Sequence, residues 1–314
     1  MENTTDQHIY IIGAGAIGKA LAVFLQRKKR QVTLIRGSVE DQVPIKSLVS
    51  VQHAEFGEVS ELVNIASLNS ISSLNGIVLI AVKAFANPML ASKLSQKSGE
   101  FSILLLQNGL NVESPFMDFQ NLYRCVLFSS SQVQKDESIS FKPSAISPIG
   151  CVTGNEQHLA LIVDTISTDY FGFRSDHNIQ KVAWEKAIIN CAFNSICPLL
   201  EQDNGIFHRD EDAKILAIKV IEECVSVARK LAIDLEPKAI EDKLMLISRT
   251  AEGQLISTYV DLIEGRKTEI DNLNLEVARI AEEMGVPSWI PNTKLLGELV
   301  KMKSNLHQKG AVLI

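Results

Sequence analysis

The sequence predicts an α/β domain built on a mainly parallel sheet, followed by an all-α C-terminal domain. Three observations carry this. Short apolar runs alternate with amphipathic stretches over the first half, the pattern of βαβ units. A glycine-rich turn joins the first run to the first amphipathic stretch. Beyond about Ser175 helical periodicity takes over. At 314 residues the chain is long enough for two domains, each with its own core. The boundary is expected near Arg174–Asn178, dividing 1–176 from 177–314.

In chain order, His8–Ile12 reads as a buried strand and Ala16–Arg27 as a helix, with Val32–Ile35 the next strand. Lys46 to Asn64 is shorter in pattern and more polar, fitting a pair of small strands. Gly76–Val82 is another buried strand, followed by a helix through Pro88–Gln96. Ser102–Leu106 is a strand ending at the turn signal Gln107-Asn108-Gly109. From Leu122 to about Phe173 β-branched and aromatic residues mix with Gly and Pro, and mainly strands are expected. Helices follow at Ile179–Leu200, Asp212–Leu231, Pro237–Arg249 and Asn272–Met284, with one more near the end.

Composition narrows the function classes. An apolar fraction of 46% and a charged fraction of 22% are those of a folded globular chain. A formal charge of -6 with no dense basic tract argues against a nucleic-acid partner. The one basic cluster, Arg27-Lys28-Lys29-Arg30, falls where a helix should end and where cations complement the dipole. Five cysteines without a CxxC spacing read as reduced, buried residues. Six scattered histidines without an HxxH or HxxxH pair point to no metal site. With no leader pattern and no apolar span, a cytoplasmic protein that neither enters nor binds a membrane is expected.

Gly13-Ala14-Gly15-Ala16-Ile17-Gly18 places a GxGxxG pattern between a strand and a helix, the context that gives the motif meaning. Gly13 allows the tight turn, Gly15 the approach of a pyrophosphate, and Gly18 close helix–strand packing. The first domain is therefore expected to be a Rossmann-type dinucleotide-binding domain. The second strand indicates which dinucleotide. NAD sites usually carry Asp or Glu about 20 residues after the motif, whereas Val32–Ile35 ends in Arg36-Gly37-Ser38. An arginine there can pair with a 2′-phosphate. Lys83, at the end of the Ile77–Val82 run, can add a second cation at the same sheet edge. NADP(H) is the expected cofactor.

A second constellation lies in Trp184–Ser195. Between Lys186 and Leu200 the helix carries no charge, so most of it should be buried. Within it Lys186, Asn190 and Asn194 form an i, i+4, i+8 row on one face. Such a row needs internal partners, a cavity to line, or a solvated face. Further on, Ser257–Asp261 forms another polar cluster. Thr268 with Asp271 suggests a capping box that places Glu269 in the first turn of a helix.

Taken together, these segments resemble the ketopantoate reductase (2-dehydropantoate 2-reductase) family over nearly the whole chain. The resemblance runs through the Gly motif, Arg36, Val82-Lys83-Ala84, Gln107-Asn108-Gly109, Trp184-Glu185-Lys186 with Asn190 and Asn194, Ser257, and Thr268-Glu269-Ile270-Asp271. It implies reduction of a 2-oxo acid with NADPH, with Lys186 as proton donor to the developing alkoxide. It further implies that Glu269 binds the substrate's distal hydroxyl and helps hold the lysine. Asn108 would stand between nicotinamide and lysine. Asn190, Asn194 and Ser257 would bind substrate, while Arg36 and Lys83 would contact the 2′-phosphate. Gln254 departs from the pattern, standing where an asparagine is expected, and leaves the identity of the 2-oxo acid open.

The leading expectation is NADPH-dependent formation of (R)-pantoate in pantothenate and coenzyme A biosynthesis. A D-2-hydroxy-acid dehydrogenase for another bulky 2-oxo acid is the alternative within enzymes, and a nonenzymatic NADPH-binding sensor the alternative outside them. Closure of the two domains over substrate about Arg174–Asn178 is a further expectation. The apolar end Ala311–Ile314 fits either a contact in a homodimer or a cover for the helical domain.

Overall fold

The computed structural model describes residues 7–37 and 43–308, so Ser38 and Ala311–Ile314 lie outside the described residues. The chain divides into two compact units, 1–107 with 112–179 and 108–111 with 180–314. The second junction is three residues beyond the expected one. Ile179 lies against Gly150 of the sheet unit, where a Cβ would strike the Ile179 side chain. The excursion at 108–111 was not expected. Its Leu110 is buried in the helical core.

In chain order the first unit holds β1 (His8–Ile12), α1 (Ala16–Arg27), β2 (Val32–Arg36), β3 (Ile45–His53), β4 (Gly57–Ser67), β5 (Gly76–Ile80) and α2 (Asn87–Leu94). It continues with β6 (Phe101–Leu105), β7 (Leu122–Cys125), β8 (Ser129–Val133), β9 (Ile139–Pro143), β10 (Ser147–Thr153), α3 (Glu156–Ile166) and β11 (Phe173–Ser175). Among the described residues the eleven strands form one sheet in the order β11-β10-β7-β6-β5-β1-β2-β4-β3-β9-β8. Around β1 the pairing is parallel, with β2 on one side and β5 on the other. Chain order therefore reverses at β1, and a ligand crevice forms at the carboxyl end of such a strand.

Both faces of the parallel core are covered, which is why its strands read as continuous apolar runs. Ile9, Ile11, Val32, Leu34, Ile77 and Leu79 pack on one side with Phe24 of α1 and Ile162 of α3. Tyr10, Ile12, Ile35, Val78 and Ile80 face Leu90 and Leu94 of α2 on the other. Fully burying one such side chain contributes about 1.5–3 kcal/mol. The C-terminal end of α1 is held by Arg27 on Glu61 at 3.0 Å and by Lys28 Nζ on the Ser167 carbonyl at 2.8 Å.

Two sequence expectations hold only in outline here. The stretch from Leu122 to Phe173 is mainly strand, as expected, but it also contains α3, whose Asn155 side chain accepts from Gln157 N at 2.8 Å. Leu159, Ile162 and Ile166 give it a buried helical stripe; Val163, Thr165 and Ile166 disguise it with β-branched residues. The pair within 46–64 is larger than expected, since β3 and β4 have nine and eleven residues in antiparallel register.

The second unit is helical: α4 (Ile179–Leu200), α5 (Ile206–Arg209), α6 (Glu211–Lys230), α7 (Pro237–Thr250), α8 (Ser257–Ile263), α9 (Asn274–Glu283) and α10 (Pro291–Gln308). Trp184, Ile188, Phe193 and Ile196 of α4 join Val220 and Cys224 of α6 in the core. Among the described residues no helix is long and apolar enough to cross a membrane. The capping box at Thr268 does not form. Ile270–Asn272 is a single 3-10 turn without a side-chain cap, and Asp271 pairs with Lys301 at 2.7 Å. The following α-helix starts at Asn274, two residues later than expected, because the chain first turns at Leu273 (φ -116°, ψ -107°).

Candidate active site

In the sheet unit the Gly13–Gly18 turn follows β1. Gly13 has φ +123°, and a Cβ there would lie 2.7 Å from the Ala81 carbonyl carbon. At Gly18 a Cβ would overlap the Gly13 carbonyl oxygen, so α1 packs directly on the turn. Gly15 differs from both: it is exposed, and nothing lies within 4 Å of its Cβ position. It precedes α1 without a side-chain cap, leaving the first-turn N–H groups of Ala16, Ile17 and Gly18 to serve an outside acceptor. An open glycine before an uncapped helix start fits a pyrophosphate.

Arg36 ends β2 and is exposed. Gly37 follows, with its Cβ position 3.5 Å from the Val82 side chain beyond β5. The tips of these strands are thus neighbours, as the parallel register through β1 requires. Lys83, half-buried, introduces the short turn Ala84–Ala86 that leads into α2. The cationic positions expected for a 2′-phosphate therefore lie at the end of β2 and just beyond β5, the two strands that flank β1.

In the helical unit the polar row of α4 is partly sunk: Lys186 and Asn190 are half-buried and Asn194 is buried. Lys186 Nζ donates to Asn108 Oδ1 at 2.9 Å. Asn194 Nδ2 donates to the Asn190 carbonyl at 3.1 Å. Its Oδ1 accepts from Ser257 Oγ and from Thr258 N, each at 3.4 Å. The two hydrogen bonds from α8 orient the Asn194 amide and place Ser257 beside the row. Nothing in the sequence pattern marked Thr258 N, because a backbone donor has no residue signature.

The segment 108–111 docks on the turn that Glu269 begins. Leu110 N donates to the Asn272 carbonyl at 2.8 Å, and Asn272 N to the Glu269 carbonyl at 2.9 Å. At Gly109 (φ +98°) a Cβ would lie 2.7 Å from the Asn272 Cβ. Asn108, Lys186 and half-buried Glu269 thus come from three segments far apart in sequence, through local packing within this unit. Gln254 is exposed in the turn before α8, its carbonyl accepting from Asn204 N at 2.9 Å. Nothing in the sequence pattern pointed to Asn87, and Gln107 was marked only as part of a turn motif, yet their buried amides bond each other next to the chain carrying Lys83 and Asn108. An uncharged amide closing the apolar run 102–106 was the available signal.

The chain belongs to the ketopantoate reductase family and is an oxidoreductase by that membership: the models described as Ketopantoate reductase PanE/ApbA and Ketopantoate reductase PanE/ApbA C terminal match residues 9–153 and 178–304. Among its relatives, the 2-dehydropantoate 2-reductase of Pyrococcus abyssi is 24% identical over 306 residues, covering 96% of this chain and 99% of that protein. The enzyme of that name from Streptococcus pyogenes serotype M1 is 24% identical over 313 residues, covering 97% and 98%. The fold is shared with a dimeric ketopantoate reductase from Staphylococcus aureus (TM-score 0.80, 20% identity, 96% of this chain and 99% of that one). It is also shared with a D-mandelate dehydrogenase solved with NADH and anilino(oxo)acetate (TM-score 0.82, 21% identity, 96% and 99%).

Proposed function

We propose that this protein reduces ketopantoate to (R)-pantoate with NADPH, a step of pantothenate and coenzyme A formation, with Lys186 as general acid. The observation that carries the reading is the Lys186 Nζ–Asn108 Oδ1 hydrogen bond of 2.9 Å on a helix whose next polar positions are amides. The names of the 24%-identical relatives supply the substrate.

Gly13–Gly18 would hold the pyrophosphate, and Arg36 with Lys83 the 2′-phosphate. A nicotinamide dinucleotide held by these residues would supply the hydride for the carbonyl carbon of the 2-oxo acid. Lys186 donates its ammonium proton to the carbonyl oxygen as negative charge develops on it, and its charge stabilises that oxygen beforehand. The product is the secondary alcohol, and the neutral amine regains its proton from water. Asn108, accepting one Lys186 hydrogen, helps fix the direction of the ammonium group. The amides of Asn190 and Asn194 supply donors for the carboxylate, joined by the Ser257 hydroxyl once it turns from Asn194 Oδ1, while Glu269 accepts the distal hydroxyl.

Steady-state oxidation of NADPH and NADH with ketopantoate, 2-oxoisovalerate and phenylglyoxylate tests this. Efficient, NADPH-selective turnover of ketopantoate is expected. Selective turnover of phenylglyoxylate would favour the second reading, a D-2-hydroxy-acid dehydrogenase, which the exposed Gln254 and the mandelate dehydrogenase fold relative support. No turnover of any 2-oxo acid would leave the sensor reading.

The proposal includes a homodimer. Leu295, Leu299, Met302 and Leu306 of α10 are 37–56% exposed at the 4-3-4 spacing of a helix-pair seam. The Staphylococcus aureus fold relative is dimeric. Light scattering should give a dimer for the natural chain and a monomer for Leu299→Lys/Met302→Lys. An unchanged mass in that variant would remove α10 from the interface.

A further inference from the structure

Asn108 reaches Lys186 from a segment whose two ends are held by a pair of buried amides. The chain leaves the sheet unit after Gln107 and rejoins it at Val112. Asn87 and Gln107 are only 1% and 7% exposed. Their carboxamides bond reciprocally, Asn87 Nδ2 to Gln107 Oε1 at 2.9 Å and Gln107 Nε2 to Asn87 Oδ1 at 2.6 Å. Each nitrogen also donates to backbone: Gln107 Nε2 to the Val82 carbonyl at 2.9 Å, Asn87 Nδ2 to the Val112 carbonyl at 2.8 Å. Because both outer partners are acceptors, neither amide can flip without facing a carbonyl with its oxygen. One residue beyond Val112, Glu113 accepts from the buried Arg124 guanidinium at 2.9 Å.

The geometry points to the Asn87–Gln107 pair as a positioning clamp for the reaction, acting through Asn108. It holds the departure and return points of 108–111, which limits where Asn108 Oδ1 can stand to accept from Lys186. The same pair is tied through the Val82 carbonyl to the chain that follows β5, which anchors the ends of the segment to the sheet unit. Inside the segment Gly109 and Asn111 both have positive φ, +98° and +54°. Glycine adopts such backbone freely and asparagine tolerates it, so the residues of the segment suit its turn. A proton donor displaced by about 1 Å can cost on the order of 100-fold in rate, which is the reason to hold a four-residue segment at both ends.

This inference rests on the roles proposed for Asn108 and Lys186, and its test separates the two. Asn87→Leu/Gln107→Met keeps side-chain volume and removes all four hydrogen bonds. It is compared with Asn108→Ala and with the triple variant, using hydrogen–deuterium exchange and steady-state kinetics with ketopantoate. The expected result is faster exchange at residues 108–112, kcat lower by about tenfold and the KM for NADPH within about twofold. Added to Asn108→Ala, the pair should cost less than about a further twofold, because residues acting through one group are not additive. Unchanged exchange at 108–112, or losses that multiply in the triple variant, would overturn the clamp. Should the Leu/Met pair not fold, Asn87→Ser is measured in the same way. If the natural chain does not turn over ketopantoate, the functional reading fails by itself and the exchange arm still decides whether the amides hold the segment.

Discussion

The two units expose polar groups in opposite ways. In the sheet unit the presenting groups are backbone N–H donors at the start of α1, and glycine keeps side chains out of their way. In the helical unit the backbone of α4 is consumed by its own hydrogen bonds, and the presenting groups are side chains at Lys186, Asn190 and Asn194. A backbone device tolerates changes of side chain but no added Cβ at its contact points. A side-chain device tolerates backbone neighbours but depends on which atoms second segments bring to it. Here those segments are 108–111, which meets Lys186, and the start of α8, which meets Asn194.

The largest test of this contrast is Lys186→Ala. Removing a general acid is expected to lower kcat by about 10²- to 10⁴-fold. NADPH affinity, measured by fluorescence titration, should stay within about threefold, because the turn at Gly13 is untouched. A parallel collapse of NADPH binding would mean that the two devices are not separable.

Next in size is the reciprocal change, Gly18→Ala. Its Cβ would overlap the Gly13 carbonyl oxygen, and backbone cannot move aside as a flexible side-chain end could. Lifting α1 is expected to weaken NADPH binding at least tenfold and to lower Tm by several degrees, as overpacking costs about 1–3 kcal/mol. Unchanged binding and Tm would show that α1 does not depend on this contact. Arg36→Ala refines the same side: loss of a charge-assisted phosphate pair should weaken NADPH about 10- to 100-fold and leave NADH nearly unchanged. Equal weakening of both nucleotides would remove Arg36 from the 2′-phosphate.

Glu269→Ala probes the side-chain device more finely. It should reduce kcat/KM for ketopantoate about tenfold more than for 2-oxoisovalerate, which offers no distal hydroxyl. Equal losses on the two substrates would assign Glu269 to holding the lysine alone.

The smallest expected effect lies at the far end of β1 and serves as a control. His8 Nε2 lies 2.8 Å from Thr33 Oγ1 and the ring stacks on Tyr10. Burial holds its pKa below the ordinary imidazole value, against the opposing pull of a Gln31 hydrogen bond. With a lowered folded-state pKa, the unfolded chain takes up the proton first. Stability present above about pH 6.5 is therefore lost as the pH falls toward the folded value. Between pH 7.5 and 5.5 the natural chain should lose about 1–3 °C more Tm than His8→Gln. An equal or smaller loss would show that His8 titrates normally.

The glycine turn, the helix after it and the strand ending in Arg36 were legible because each is decided locally. A tight turn needs glycine where φ is positive, a helix packed on a turn needs glycine at the contact, and a strand buried on both faces must be apolar throughout. The row of α4 was legible as a pattern for the same reason, since helical periodicity alone puts Lys186, Asn190 and Asn194 on one face. What failed were boundaries set by neighbours. Asp271 belonged to a capping box by spacing, yet Lys301 on α10 captured its carboxylate. Helix α3 has a buried stripe whose β-branched residues suited a strand equally well until packing on the sheet decided it.

By itself, then, the sequence determined the two architectures, the glycine turn and the identity of the half-buried polar row, because backbone sterics and burial act over a few residues. Only the tertiary structure decided that Asn108 would join the helical unit and meet Lys186, that α8 would orient Asn194, and that Asn87 would lock onto Gln107. Those pairings join residues 20 to 78 positions apart. A hydrogen bond over such a span follows from the packed position of whole elements, and residue spacing carries no record of it.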